Sequence, residues 1–341
     1  MMDAVRYHGP DVPLTFEKVP KPEPNNLSSE DVIVEIKATS LCHTELHFAD
    51  GTLNLGVKPM TLGHECVGII THHNTTESSE TKSRVGERVI VYYYDGCGSC
   101  RWCTKGEVQI CDALKAEYGF IADGGLAEYI VTPSKNAIVL PDHVSFIDAA
   151  PIGCGVTTAV HAAKMGKVTN NSNDGTDKTV LIYGCNGVGF GLVQLMKNVY
   201  GIPQIIVVTR SESKRKKALE LGATHVIDGT CDPSIVASTV RAMTDGLGVD
   251  VIFECVGRRE TMDACVGWVG ALGKRGRLVL VGYHAGDKHD FRYVKGIPPF
   301  FCTFFVSIGI FLFCCFGALE SSLTYMIYFL SSVFFLLYML K

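Results

Sequence analysis

From Lys178 to Val281, short β-branched runs alternate with segments of helical length, and few folds accept that order. The runs T-V-L-I-Y (179–183), Q-I-I-V-V (204–208), T-H-V-I-D (224–228), V-D-V-I-F-E (249–254) and R-L-V-L-V (277–281) read as strands. The spacing between them predicts helices over Val188–Tyr200, Glu212–Leu221, Pro233–Met243 and Thr261–Leu272, the second closed by Gly222. Strands joined through helices lie parallel, with the helices on both faces of one sheet. The alternation therefore predicts a doubly wound α/β domain.

Residues 1–150 follow a different rule. In D-V-I-V-E-I-K-A (31–38), Val32, Val34 and Ile36 fall on one face and Glu35 and Lys37 on the other, the period of a half-buried strand. Cys66–Ile70, Arg88–Tyr94 and Tyr129–Thr132 add strands punctuated by Gly, Pro and Asp, so this half reads as mostly β. The pattern changes near Cys154–Ala163, and 341 residues leave room for two domains. The polar stretches 71–84 and 167–178 read as surface loops, and the His72–His73 pair in the first, which could bind a metal, is better read as solvated. A net charge of −4 argues against a nucleic-acid partner held through its phosphates.

The chain holds 14 cysteines, and their distribution is not that of a disulfide scaffold. Its first 25 residues carry charges and prolines rather than an apolar run, so no secretory signal is expected. In a reducing, cytoplasmic setting, clustered thiols are better read as metal ligands. Cys97, Cys100, Cys103 and Cys111 are spaced C-x2-C-x2-C-x7-C. Four such thiolates close a tetrahedron around zinc and leave no vacancy, which makes the site structural; spacing alone also admits an iron–sulfur cluster or a buried cysteine group. Cys42, His64 and Cys154 form a second, dispersed set. Two sulfurs and one imidazole would leave one tetrahedral position open, as a catalytic zinc requires, although a lone cysteine is more often a small core residue.

Taken in order, C-H-T-E-L-H (42–47), G-H-E (63–65), the four-cysteine lobe, G-C-G-V-T-T (153–158) and the turn G-C-N-G-V-G (184–189) resemble the medium-chain, zinc-dependent alcohol dehydrogenases. The resemblance runs over about residues 5–290. It implies a GroES-like, mostly-β catalytic domain over 1–155 and a Rossmann dinucleotide-binding domain over 156–296. It also implies two zinc ions per chain, a nicotinamide cofactor, an alcohol or aldehyde substrate and a homo-oligomer. Cys42, His64 and Cys154 would hold the catalytic zinc, with Glu65 beside it. Thr44 would accept the alcohol proton and pass it through the cofactor ribose to His47, His43 would meet the cofactor pyrophosphate, and Thr158 would lie near the nicotinamide. The chemistry agrees with those roles, because zinc acidifies a bound alcohol and the released proton needs a hydroxyl and then an imidazole. Leu46 reads as packing. Tyr92, Tyr93 and Tyr94 suit a substrate wall, and strand packing accounts for them equally well.

The chain departs from the family at several positions. Glu45 stands where the family usually has an aspartate behind the zinc-binding histidine, and restoring Asp is expected to keep or raise activity. In the glycine fingerprint, Gly184 and Gly189 are present, but Asn186 replaces the middle glycine and Gly187 follows it; Asn tolerates a left-handed backbone better than most residues. After the second strand, Thr209 takes the place of the acid that binds the ribose 2′-hydroxyl of NAD, and Arg210, Lys214 and Arg215 follow. A hydroxyl and cations suit a 2′-phosphate, so NADP is favoured over NAD, with Glu212 as the rival ligand for NAD. Val256–Gly257 and Val281–Gly282 end strands at the edge where the nicotinamide would bind.

Residues 297–341 are of another kind: Phe300–Leu319 and Ser321–Leu340 carry no charge and are long enough to span a membrane. They read as a hydrophobic anchor, as the product of a mispredicted exon or shifted frame, or as a buried helical cap. The abrupt end of the resemblance near Arg292 favours the second, and membrane association is expected only if this tail is genuine. Two other functional readings stand beside the dehydrogenase: an NADPH-dependent reductase of cinnamyl-type aldehydes or enals, and a zinc-binding relic impaired by its altered C-terminus.

Overall fold

The structure, a computed structural model, describes residues 1–56, 59–74, 84–168, 179–266, 269–282 and 303–306. Two compact units divide at Cys154/Gly155.

In the first unit, β1 (Met2–Tyr7) pairs antiparallel with β2 (Thr15–Val19). The central strand β3 (Asp31–Ser40) runs directly into helix α1 (His43–Ala49). The short β4 (Met60–Thr61) joins the other edge of β1, and β5 (Glu65–His73) pairs along the length of β3. With β6 (Arg88–Val91), β9 (Tyr129–Pro133) and β10 (Ala137–Val139), strands β3 and β5 form a five-stranded antiparallel sheet in the order β10-β6-β5-β3-β9. Strands β7 (Tyr94–Asp95) and β8 (Ala116–Glu117) make a separate two-stranded ladder. Helix α2 (Phe146–Ala149) and the 3-10 turn Ala150–Gly153 carry the chain to Cys154.

The alternation expected for β3 holds at Val32 and Val34, which are fully buried, but Ile33 is buried as well and Ile36 only partly. Register shifts at Ile33/Val34 and Ile36/Ala38 break the two-residue period, as bulges do. The run Arg88–Tyr94 is two strands rather than one. His72 and His73 belong to β5, not to a loop: His73 is buried, its Nδ1 accepts the backbone N–H of Arg84 at 3.3 Å, and its Nε2 stands 3.6 Å from Glu30. The polar residues 75–83 that follow lie outside the described residues.

The second unit opens with α3 (Gly155–Met165). It then alternates β11 (Thr179–Tyr183), α4 (Gly187–Gln194), β12 (Gln204–Thr209), α5 (Glu212–Glu220), β13 (His225–Asp228), α6 (Pro233–Ala242), β14 (Val249–Glu254), α7 (Arg259–Cys265), β15 (Leu272–Leu280) and β16 (Thr303–Val306). All the strands are parallel, in the order β13-β12-β11-β14-β15-β16. Strand order reverses between β11 and β14, and open sheets of this kind bind ligands at the carboxyl ends of the strands there. Leu181, Ile206, Val208, Ile252 and Leu278 are buried in the core of this unit, which explains why their strands read as continuous apolar runs.

Two helices differ from expectation. The one expected over Thr261–Leu272 ends at Cys265, and Leu272 already starts β15. A Cβ on Gly270 would lie 2.5 Å from the Val266 carbonyl carbon, so the chain turns there in close backbone contact instead of continuing the helix. The one expected over Val188–Tyr200 is α4 followed by a π turn at Leu195–Val199, in which Tyr200 N–H donates to the Leu195 carbonyl. Strand β16 lies inside the stretch set apart as the hydrophobic tail; the rest of that stretch, and most of the loop 167–178, lie outside the described residues. Among the described residues, no helix is long and apolar enough to cross a membrane.

Candidate active site

The first unit gathers two groups of metal-ligating side chains. Cys42 sits at the joint between β3 and α1, where its backbone caps the helix. His64 stands just before Glu65, the first residue of β5, and follows Gly63, whose φ of +94° and lack of room for a Cβ (2.7 Å from Leu126 N) leave glycine as the fitting residue. Cys154 follows the 3-10 turn, where a Cβ on Gly153 would lie 3.3 Å from the Cα of Glu65. Folding thus brings the ligand atoms of Cys42, His64, Glu65 and Cys154 to within 4.8 Å of one another.

The His64 ring is wholly buried, and Nδ1–H donates to Oε1 of Glu45 at 2.9 Å. Its Nε2 is buried with no hydrogen-bond partner among the described residues, which is costly unless something occupies that lone pair. Burial opposes charge on His64, but with no metal present the Cys42 thiol and the Glu45 carboxylate outweigh it and push the ring up to about 10, and a metal at Nε2 would displace that proton. The neighbouring Cys154 thiol does most to bring Cys42 down to about 3; burial opposes this, and His64 and Thr44 add to it. A half-buried thiolate, a buried second thiol and a buried imidazole nitrogen are the donor set that zinc takes.

Glu45 supplies the support behind His64, and its extra methylene is used. While Oε1 holds His64, Oε2 accepts the backbone N–H of Cys42 at 2.8 Å, closing a capping box on α1. One carboxylate therefore braces two candidate ligands, and this changes the expectation for aspartate. Glu45→Asp is expected to lower zinc affinity about 10- to 100-fold, because the shorter chain cannot reach both groups. Competition against a chromophoric chelator measures this, and unchanged affinity would show that aspartate reaches.

Around these ligands, Thr44 is buried with Oγ1 3.5 Å from Cys42 Sγ. His47 Nε2 stands 3.3 Å from His43 Nδ1, and burial, with the charge of His43, lowers its pKa. The structure thus brings Thr44 to the metal ligands and pairs His47 with His43. Leu46 is 57% exposed and does not pack. Tyr93 and Phe120 flank the histidine, with ring centroids 5.2 and 4.8 Å from that of His64. Phe120 was not signalled by any motif.

In the four-cysteine lobe, the ligand atoms of Cys97, Cys100, Cys103 and Cys111 also lie within 4.8 Å of one another. The Cys97–Cys103 and Cys100–Cys111 sulfurs are 3.9 and 3.8 Å apart. A disulfide would bring sulfurs to about 2.0 Å, whereas a tetrahedron with zinc–sulfur bonds of about 2.3 Å has edges of about 3.8 Å. Backbone N–H groups of Ser99 and Cys100 donate to Cys97 Sγ and, as the main cause, bring that thiol down to about 6. The lobe therefore fits a closed zinc site.

The second unit holds the glycine turn between β11 and α4. Gly184 has φ +93°, and a Cβ there would meet Val256 Cγ2 at 2.6 Å; a Cβ on Gly189 would strike the Gly184 carbonyl. Asn186 has φ −112°, ordinary extended backbone, so the expected need for left-handed tolerance does not arise. Its Oδ1 instead accepts from Lys214 Nζ at 2.8 Å. Gly187 opens α4 with free space where a Cβ would stand. Thr209 ends β12 and is buried. Arg215 turns back to donate to the carbonyls of Thr209 and Arg210 and pairs with Asp228 at 3.0 Å. Lys216 pairs with Glu212 and Lys217 with Glu220. Arg210 is exposed and makes no ion pair among the described residues. Thr158 lies on α3, partly buried.

Sequence reasoning missed Glu254, the acid that closes β14. It is fully buried; Oε1 accepts from the N–H groups of Val256 and Gly257 at 3.0 Å and from the Thr261 hydroxyl at 2.7 Å. Its backbone carbonyl accepts from Val281 and Gly282. This one residue ties together both Val–Gly strand ends singled out for the nicotinamide side. An acid at the end of the apolar run V-D-V-I-F-E was the available signal.

Known proteins resemble both units. The family model "Alcohol dehydrogenase GroES-like domain" matches residues 28–142, and "Zinc-binding dehydrogenase" matches residues 187–315. The NAD-dependent alcohol dehydrogenase of Saccharolobus solfataricus is 30% identical over 297 residues, spanning 84% of this chain and 80% of that protein. Among solved structures, the alcohol dehydrogenase of Aeropyrum pernix is 32% identical with a TM-score of 0.74, covering 90% of this chain and 85% of that one. A zinc-binding dehydrogenase from Sinorhizobium meliloti 1021 bound to NADP is 28% identical with a TM-score of 0.69, covering 85% of this chain and 79% of that one.

Proposed function

Because the chain belongs to the medium-chain, zinc-dependent alcohol dehydrogenase family, we propose that it interconverts alcohols and their carbonyl products by hydride exchange with a nicotinamide cofactor. The observation that carries this reading is the convergence of half-buried Cys42 with buried His64, Glu65 and Cys154, with His64 Nε2 left for a ligand.

Zinc held by Cys42, His64 and Cys154 would supply a Lewis acid that makes an alcohol O–H acidic near neutral pH. The remaining work falls to side chains. Glu45 fixes the His64 tautomer, so that Nε2 rather than Nδ1 is the donor atom. Thr44, buried against Cys42, offers the hydroxyl that takes the alcohol proton. His47, whose pKa is lowered by burial, passes that proton on and tends to stay neutral near physiological pH. Phe120 and Tyr93 wall the histidine with apolar surface, which keeps water from competing with the alcohol.

NADP is the favoured cofactor. Thr209 places a neutral hydroxyl where an acid would repel a 2′-phosphate, and Arg210 stands exposed beside it without an ion-pair partner among the described residues. The fused reading of domains follows: a catalytic domain over 1–155 and a dinucleotide-binding domain over 156–296.

A panel of primary and secondary alcohols and their aldehydes, assayed by nicotinamide absorbance on the purified full chain, tests the proposal. We expect turnover, with kcat/KM for NADP above that for NAD by about tenfold or more. Bound zinc with no turnover across the panel overturns the dehydrogenase reading, and a higher kcat/KM with NAD overturns the cofactor preference.

A further inference from the structure

The proposed reaction makes no use of Glu117, yet this carboxyl is 4% exposed. The β7–β8 ladder sets it directly opposite Tyr94, and side chains so paired share one face of the ladder. Burial raises the carboxyl to about 7, against the opposing pull of the Tyr94 hydroxyl and the charge of His64. Oε1 is buried with no hydrogen-bond partner among the described residues. Lys135 Nζ lies 2.8 Å from Asp95, the other member of β7, and no described cation forms an ion pair with Glu117. A buried carboxyl oxygen without a donor is costly, and in a native protein it calls for a reason.

Packing does not supply that reason. The ladder is held by backbone groups, and the turn after it is held by the Glu117 carbonyl, which accepts from the N–H groups of Phe120, Ile121 and Ala122. An apolar residue would serve both purposes. The surroundings point elsewhere. The Tyr94 ring lies 4.3 Å from that of Tyr93, which in turn stacks on Phe120 at 5.8 Å. Tyr93 and Phe120 are the two rings that flank His64. The aromatic shell around the metal-binding histidine therefore carries, at Tyr94, a carboxyl with an unused acceptor.

We propose that Glu117, with the Tyr94 hydroxyl, receives a second hydroxyl group of the substrate, so that the preferred substrates are vicinal diols or polyols. The substrate O–H donates to Oε1 of Glu117, beside the Tyr94 hydroxyl that already favours the charged carboxylate. Charge narrows the ligand class: an anionic group would be repelled by Glu117, and an ammonium group would have to shed its hydration in a buried, aromatic-lined site. A neutral hydroxyl meets neither penalty. This inference rests on the dehydrogenase reading for the position of the reacting carbon.

The test compares butane-2,3-diol with butan-2-ol, which share a carbon skeleton. In the holoenzyme, kcat/KM is expected to favour the diol, and Glu117→Leu is expected to lower the diol-to-monool ratio about 10- to 100-fold, the worth of a buried hydrogen bond to a charged group. Tyr94→Phe is expected to move the ratio in the same direction by less. Glu117→Gln keeps the size of the side chain and covers the case in which the leucine variant does not fold; its ratio is expected to fall between the two. A ratio that none of the variants moves, or a wild type that does not prefer the diol, overturns the inference. Calorimetric binding of both alcohols to the zinc-loaded chain without nicotinamide separates the two claims. Absence of turnover with every alcohol sinks the dehydrogenase reading alone, whereas equal binding of diol and monool sinks the role of Glu117.

Discussion

Cys154→Ala is expected to reduce bound zinc from about two ions per chain to about one and to lower kcat/KM by about three orders of magnitude. Cys154 is buried, and its sulfur is the strongest influence on Cys42. Without it, Cys42 loses the neighbour that holds it as a thiolate, and His64 and Glu65 alone present an imidazole and a carboxylate. Such a set binds zinc more weakly and no longer makes the Cys/His/Cys centre. The fold should tolerate the change, because alanine removes a single buried sulfur and leaves the turn at Ala150–Gly153 in place. Metal analysis, kcat/KM and thermal melting on one preparation separate the outcomes. An activity loss with zinc still at the wild-type level would remove Cys154 from the ligand set.

Local patterns made much of this molecule legible before its coordinates. Strands β11, β12 and β14 of the second unit announce themselves because nearly every residue in them is buried, so the apolar run is continuous, and Gly222 marks the end of α5 through a φ of +114° that glycine alone adopts freely. Cys42, His64 and Cys154 are far apart in the chain, and only their order within a longer series of motifs linked them. What sequence did not disclose is set by tertiary contact. Glu45 looks one methylene too long until both of its oxygens are seen in use. Helix α7 stops early because backbone meets backbone at Gly270, which no propensity records. Asn186 needs no special backbone, since its role is to receive Lys214 from the following helix. Glu254 and Glu117 are single acids in apolar neighbourhoods, and their partners come from other strands or turns that periodicity cannot locate.

Removing one thiol from the lobe should act on stability where Cys154→Ala acts on turnover. Cys103→Ala is expected to lower bound zinc to about one ion per chain and to lower Tm by about 10 °C, a loss of several kcal/mol in a domain of this size. The lobe from Cys97 to Cys111 contains only two 3-10 turns as regular structure, Cys103–Lys105 and Val108–Ile110, with no strand or α-helix to hold it. Its order comes from sulfurs that accept backbone N–H groups: Ser99 and Cys100 donate to Cys97, Cys103 to Cys100, and Ala113 to Cys111. Those bonds are strongest to thiolates, and four thiolates this close repel one another unless a cation sits among them. A Cβ on Gly96 would stand 2.7 Å from Cys103 Sγ, so the thiol fills space against the backbone as well as offering a ligand. Melting with and without a chelator distinguishes these contributions. If the metal dominates, chelated wild type and Cys103→Ala melt together, and zinc no longer raises the Tm of the variant. An unchanged melting temperature after zinc is lost would show that packing alone holds the lobe, and iron in place of zinc on metal analysis would assign the site to a cluster.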